Sequence, residues 1–404
     1  PIKQVDVDGE GSMKQALTGV RILDLTHMLS GPYGSMILAD LGAETIKVEP
    51  CHGEGTRKLL ATDPKNSLDG MGAYYITLNR NKKSIAVDLK TPEGLALFKD
   101  LVKTVDVVIS NFGAGVPERL GIDYVSLAAV NPRIITCTVS GFGSDGPGSK
   151  RPAFDQVAQA MGGGMSITGP DPEHMVRAGI PIGDLGGGMF GVMGILAALY
   201  ERERSDVGQH VDISMLDCQI SMLNYMATMH FLSGEDPYPI GNSHFVHVPY
   251  NTFTCSDGSI VIAVITDNFW QNLKGVINCP VLDIPKYDTQ PGRWEDRDMI
   301  NTKLNELLSA DTCAHWLALF EAQRIPCAPV NSLSQALSDT QVLHRNMVVD
   351  LKHPNGNSTK GPGNPIKLSR SRDEVFTPAP TLGQHTDEVM TQLLNLSVKQ
   401  IEQM

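Results

Sequence analysis

The sequence has no CxxC pair, and its seven cysteines are odd in number and widely spaced. That excludes a disulfide framework and a zinc-ribbon pattern, and fits reduced thiols in a cytoplasmic protein. Aromatic residues make up only 6% of the chain, and no cluster of Lys and Arg is interleaved with them. With a net charge of −12, a nucleic-acid partner is not expected. No apolar run reaches the roughly 18 residues of a membrane span. The stretch Met189–Tyr200, MFGVMGILAALY, suits a buried helix instead, so no membrane partner is expected. No signal peptide is visible. No GxGxxG follows the first strand, which argues against a dinucleotide cofactor. His244 and His247 stand close together in GNSHFVHVP, but no third ligand accompanies them, so no metal is expected.

What is present is ordinary globular material, with 41% hydrophobic and 19% charged residues. The 404 residues suffice for two or three domains. PIKQVDVDGEGS, residues 1–12, is a polar lead read as expression residue or a disordered segment. Val20–Leu25 reads as a strand, SGPYG (Ser30–Gly34) as a turn, Ser35–Leu41 as a helix and Ala43–Val48 as a strand. Ser84–Leu89 is a further strand, and Thr91 caps a helix with Pro92 in its first turn. Asp106–Asn111 and Ile134–Ser140 are strands, and Gly186–Arg204 is a long helix. Strands alternating with helices imply an α/β fold around an open parallel sheet, with ligands at the carboxyl ends of the strands. Asn251–Ile265 reads as an antiparallel hairpin turning at Ser256–Gly258, followed by a helical stretch from Asp298 to Glu321. The expected division is a large α/β domain from 13–220 and 335–404, and a smaller α+β domain at 240–330. An acidic protein that binds an anion must gather positive charge locally, and NRNKK (Asn79–Lys83) is the densest cluster.

The segment from Arg151 to Gly188 carries two glycine triplets, Gly162–Gly164 and Gly186–Gly188. Asp184 sits between Gly183 and Gly186, just ahead of an apolar helix. A carboxylate there stands beside backbone N–H groups able to hold an oxyanion. It equally well caps the helix, since Asp is a favoured cap residue. Three following glycines are less easily explained by capping, because glycine weakens a helix start.

These segments resemble family III CoA-transferases, the group that includes formyl-CoA transferase and succinyl-CoA-dependent enzymes. The resemblance rests on blocks in order: GVRILDLTHMLSGPYGSMILADLGAETIKVE, LNRNKKSIAVDLK, NFGAGVPERLGID, VSGFGSDGPGSKRPAFDQVAQAMGG, GDLGGGMFGVMGILAALYERERSDVGQHVDISMLD, VPYNTF and LGQHTDEV. It implies an open Rossmann-like sheet in the large domain and an interlocked homodimer. It also implies that Asp184 is a nucleophile that forms an aspartyl anhydride and then an enzyme–CoA thioester. Coenzyme A enters as substrate, with no permanently bound cofactor; the partners are an acyl-CoA and a carboxylic acid. Val87, Lys90, Asn111, Arg119 and Arg151 fall on CoA-binding positions, and His27, Leu29, Phe154, Gly186, Gly187, His244 and His247 on the substrate pocket. Read without the resemblance, a lone Lys or Arg is a solvated side chain, and His27 is equally a structural histidine.

The chain departs from the formyl-CoA transferase pattern at Leu29, where that enzyme has glutamine, and at Pro50, where it has arginine. The glycine lid of the small domain is also missing. Racemases of 2-methylacyl-CoA share the fold but place a histidine before the aspartate where this chain has Phe154-Asp155. Phenylalanine cannot move a proton, which favours transfer over racemisation, and the intact Asp184 with its glycines disfavours a non-catalytic CoA-binding protein. The wording NRNKKSIAVDLK and VPYNTF resembles members that use succinyl-CoA or another dicarboxylyl-CoA.

Overall fold

The computed structural model describes residues 14–371 and 374–401, so the polar lead at 1–12 lies outside the described residues. The chain divides into two compact units. The first comprises the chain up to Gly164, Ala178–Leu232 and the chain from Thr340. The second comprises Met165–Arg177 and Ser233–Asp339.

The first unit is built on six parallel strands: β1 (Arg21–Asp24), β2 (Glu44–Glu49), β3 (Lys82–Ala86), β4 (Val107–Ser110), β5 (Ile135–Ser140) and β6 (His210–Ser214). Their order across the sheet is β3-β2-β1-β4-β5-β6. The order reverses between β1 and β4, and such a switch point opens a crevice beyond the carboxyl ends of those strands. Successive residues feed opposite faces, as a period of two requires. Ile22, Val107 and Ile109 enter one core with Ile37, Val192 and Ile195, while Leu23 and Val108 enter the other with Phe98, Leu101, Val389 and Met390. Helices α1 (Ser30–Asp40) and α5 (Ile182–Ser205) cover the first face. Helix α3 (Pro92–Val102) and the helix Thr386–Leu394 cover the second. The short helices α2 (Ala73–Asn79) and α4 (Asp155–Met161) lie between these in sequence, and α6 (Met215–Leu223) follows β6.

Four local expectations are corrected. SGPYG is the opening of α1 and not a turn. Pro32 is tolerated there because N–H groups in a first helical turn have no intrahelical partner. The strand expected at Ser84–Leu89 ends at Ala86 and starts at Lys82, and His210–Ser214, read only as a lead into a helix, is the sixth strand. The stretch expected as one helix from Asp298 to Glu321 is two, Arg297–Leu308 and Cys313–Ala322, with Thr312 capping the second through His315 N. The long helix α5 is, by length and composition alone, long and apolar enough to cross a membrane, contrary to the reading of its apolar run. In the fold its Val192, Ile195 and Ala198 are buried in the core of the first unit.

The tail returns to the edge of the sheet. Ser84 N donates to His385 Nδ1 (3.1 Å), and His385 N donates back to Ser84 O (2.9 Å). Edge strands need such cover, since their free N–H and C=O groups otherwise invite pairing. The second unit holds a three-stranded antiparallel sheet, β7 (Tyr250–Thr254), β8 (Ser259–Ala263) and β9 (Cys327–Pro329), with β8 in the middle. Its own core includes Phe253, Ile260, Ile262, Trp270, Leu304 and Phe320.

Candidate active site

Asp184 stands in the first turn of α5, which begins at Ile182, four residues before the expected start at Gly186. It is not the cap. The side chain that caps α5 comes from α4: Asp155 Oδ1 accepts from Gly183 N (2.8 Å) and Asp184 N (3.2 Å). Leu185 N donates to Pro181 O (2.9 Å). The first-turn N–H groups expected to serve an oxyanion are therefore committed within the protein. Relieved of capping, the Asp184 carboxylate has no hydrogen bond or ion pair among the described residues. Burial and the Asp155 charge push its pKa up to about 6, from an ordinary 3.8. A half-buried carboxyl with a raised pKa and no structural duty is a candidate functional group.

The neighbours of Asp184 come from α1 and α2. Ser30 Oγ donates to the Asp184 carbonyl (2.8 Å). Tyr74, on α2, is pushed up to about 12 by burial and then by the charges of Asp184, Asp155 and Glu54. Neither Ser30, Tyr74 nor Asp155 was singled out by sequence; Asp155 was quoted only as the residue after Phe154. The glycines after Asp184 also have a different use from the expected one. A Cβ on Gly187 would lie 2.5 Å from Ser30 Oγ, and one on Gly188 would lie 2.6 Å from Ser30 O. On Gly186 it would lie 2.8 Å from Met222 Cε. The triplet lets α1 and α6 close onto α5; at these Cα positions the near neighbours are protein atoms.

The loop from β1 to α1 lies at the topological switch. Asn111 clasps it: His27 N donates to Asn111 Oδ1 (3.0 Å), and Asn111 Nδ2 donates to His27 O (2.7 Å). Burial pushes the His27 imidazole below its ordinary range, so it is neutral at pH 7. His27, Val87 and Lys90 line one cavity of about 330 Å³ at the carboxyl ends of β1, β2 and β3, together with Glu54, Phe112 and Leu120. Lys90 is exposed at its rim. Arg119 is exposed on the short helix Val116–Leu120, next to Leu120 in that wall. Arg151 lies over the ring of Phe142, 5.1 Å from its centroid. Among the described residues Lys90, Arg119 and Arg151 make no ion pair.

The other sequence candidates are not among the residues that line that cavity. Leu29 is the residue before α1, and Phe154, 64% exposed, is the residue before α4. His244 and His247 belong to the second unit, with ring centroids 4.6 Å apart. The His244 Nδ1 accepts from Val246 N (3.0 Å) and His247 N (3.2 Å), while His247 Nδ1 is buried with no partner. Among the described residues no group of three His, Cys, Asp or Glu is placed to hold a metal ion.

The cation cluster NRNKK is corrected. Arg80 pairs with Asp40 (2.7 Å) and Lys82 with Asp24 (3.0 Å), all four buried. Lys83 pairs with Glu44 (2.8 Å) and Glu388 (2.7 Å). These cations are held by the fold and are not offered to an anionic ligand.

A parallel sheet with a switch-point cavity, and an unpaired carboxyl at a glycine-rich helix start, define a ligand-handling α/β enzyme. The sequence pattern of CoA-transferase family III matches residues 17–386, and the chain belongs to that family. It is 36% identical to a succinyl-CoA:glutarate CoA-transferase of Mus musculus, over 97% of this chain and 89% of that protein. It is 37% identical to an acetyl-CoA:oxalate CoA-transferase of Acetobacter aceti, over 92% of this chain and 94% of that one. In structure it resembles a CAIB/BAIF family protein from Brucella suis, with a TM-score of 0.84 and 32% identity over 94% of this chain and 100% of that one.

Proposed function

We propose that this CoA-transferase moves CoA from a dicarboxylyl thioester such as succinyl-CoA to a free carboxylic acid, with Asp184 as the nucleophile. The single observation that carries the role of Asp184 is its unpaired, half-buried carboxyl with a pKa raised to about 6. Such a group is ionised at neutral pH and has no partner to weaken it as a nucleophile. The relatives named for succinyl-CoA support the donor class.

In the reaction proposed, an Asp184 oxygen attacks the thioester carbonyl and expels CoA thiolate, leaving a mixed anhydride. The thiolate attacks the Asp184 carbonyl carbon, which frees the donor acid and leaves an enzyme–CoA thioester. The acceptor carboxylate attacks that thioester and expels the thiolate again, forming a second anhydride. The thiolate then attacks the acceptor carbonyl, and Asp184 leaves as the carboxylate. Charge is conserved at −1 throughout, so no metal or redox cofactor is required. Lys90, Arg119 and Arg151 are the free cations for the CoA phosphates. Val87 and His27 line the cavity beside Lys90, and Asn111 holds the His27 backbone. Phe154 has no proton to exchange, so the position that holds a histidine in racemases supplies no acid/base group here.

Enzyme mixed with acyl-CoA and then hydroxylamine is expected to gain a hydroxamate on the peptide that carries Asp184, read by mass spectrometry. Asp184→Asn is expected to lower kcat by at least three orders of magnitude, about 4 kcal/mol in barrier height. Normal turnover of that variant with no adduct on the peptide would remove Asp184 from the chemistry.

A further inference from the structure

Lys82 is fully buried, as is Asp24, and the ion pair between them does not by itself account for a lysine there. Replacing a buried ion pair with apolar residues is often neutral or stabilising. Its three ammonium protons go to three different elements. Lys82 Nζ donates to Asp24 Oδ2 at the end of β1 (3.0 Å), to Pro32 O in the first turn of α1 (3.1 Å) and to Asn79 Oδ1 at the end of α2 (3.1 Å).

Each of those elements carries part of the site. Asp24 accepts from Thr26 N (2.9 Å) and from Ser35 Oγ (2.7 Å), and so shapes the loop that leads to His27. Lys47 Nζ holds the Thr26 carbonyl from the other side (2.8 Å). The first turn of α1 carries Ser30, which grips the Asp184 carbonyl. Helix α2 carries Tyr74, which feels the Asp184 charge. The pinned loop contains Met28 at φ 62°, a left-handed conformation that a residue with a side chain keeps only when its surroundings hold it there.

We infer that Lys82 is a positioning residue of the transferase: its ammonium fixes the β1–α1 loop, the first turn of α1 and the end of α2 against one another, and so sets Ser30 and Tyr74 around Asp184. Losing one of its protons releases at least one of the three acceptors. Truncation releases all three. The pinned loop also carries Thr26 and His27 into the wall of the cavity, so the effect falls on kcat and extends to the KM for acyl-CoA.

The charged groups around Lys82 are Asp24 from β1, Lys47 from β2 and Glu54 from the turn after β2. Burial lowers the lysine to about 8, against the attraction of Asp24 and with the repulsion of Lys47. An alkaline limb in kcat near pH 8 follows, on the opposite side of neutrality from any limb due to Asp184.

The inference rests on Asp184 as the reacting group, and its test is separate from the test of that role. In the full-length enzyme, kcat for acyl transfer is measured from pH 6.5 to 9.5, with circular dichroism at each pH to confirm the fold. The expected wild-type result is a fall in kcat centred near pH 8 with the fold intact. Lys82→Arg, whose guanidinium stays charged, should lose that limb within the range. Asp24→Asn, which removes the charge that sustains the ammonium, should move it to lower pH by a unit or more. Lys82→Met should lower kcat at pH 7 by about 30- to 100-fold. A flat wild-type profile overturns the inference, and so does a limb that stays in place in whichever of the Lys82→Arg and Asp24→Asn enzymes folds. An inactive Asp184→Asn enzyme beside a flat wild-type profile would sink this inference and leave the nucleophile standing.

Discussion

A single carboxylate placed badly for stability is what distinguishes this site. Position 184 lies in a helix first turn, where the helix dipole favours negative charge. Burial and Asp155 outweigh that and raise the pKa to about 6. A carboxyl whose folded pKa exceeds its unfolded 3.8 binds protons more readily in the fold, so its contribution is fully present below about pH 4 and is lost as pH rises through 6. At pH 8 the ionised group is a net cost. Asp184→Asn is thus expected to stabilise the fold at pH 8 by about 1–3 kcal/mol, with the gain vanishing near pH 4. Urea unfolding at the two pH values measures this. Equal gains at both would show that the burial of charge is not the cause. The sequence pointed to Asp184 and stated the capping alternative. It could not show that Asp155 does the capping, because the two residues are brought together only by packing of α4 against the start of α5.

At the scale of elements, the decisive contact is α1 against α5. Gly34 and Gly188 meet there: a Cβ on Gly34 would lie 2.9 Å from Gly188 O, and one on Gly188 would lie 2.6 Å from Ser30 O. Backbone cannot yield as a side-chain tip can. Gly188→Ala is therefore expected to destabilise by about 1–3 kcal/mol and to lower kcat by shifting Ser30. Gly275→Ala is the control, since Gly275 lies in the helix Asp267–Ile277 with open space at its Cβ position. It should stabilise by about 0.4–1 kcal/mol. Thermal unfolding of the pair separates a packing glycine from an incidental one; a neutral Gly188→Ala would show that the helices can move apart freely. Most strands of the large sheet were legible because β-branched runs bounded by polar turns read as strands. The misreading of SGPYG has a physical cause. SGPYG has turn composition, yet those small residues serve a helix packed closely on its neighbour, and close packing leaves no local periodic signal.

For the whole molecule, the family resemblance implies an interlocked homodimer. In the single chain Phe231 is 83% exposed and Leu232 84%. Sedimentation at nanomolar concentration is expected to give one species of twice the 43.7 kDa chain mass, with no folded monomer appearing on dilution. A monomer that keeps its circular dichroism and activity would contradict the interlock. The fold also joins distant parts of the chain at Ser84, whose backbone exchanges hydrogen bonds with His385 near the far end.

The sequence by itself determined the alternation of strands and helices, the family and the position of Asp184, because hydrophobic period and ordered motif blocks are written in one dimension. Only the tertiary structure decided what the charged residues do. NRNKK reads as a cation cluster, but Arg80, Lys82 and Lys83 find Asp40, Asp24, Glu44 and Glu388 across the fold. A charge is spent or available according to its neighbours in space, and those neighbours lie up to hundreds of residues away along the chain.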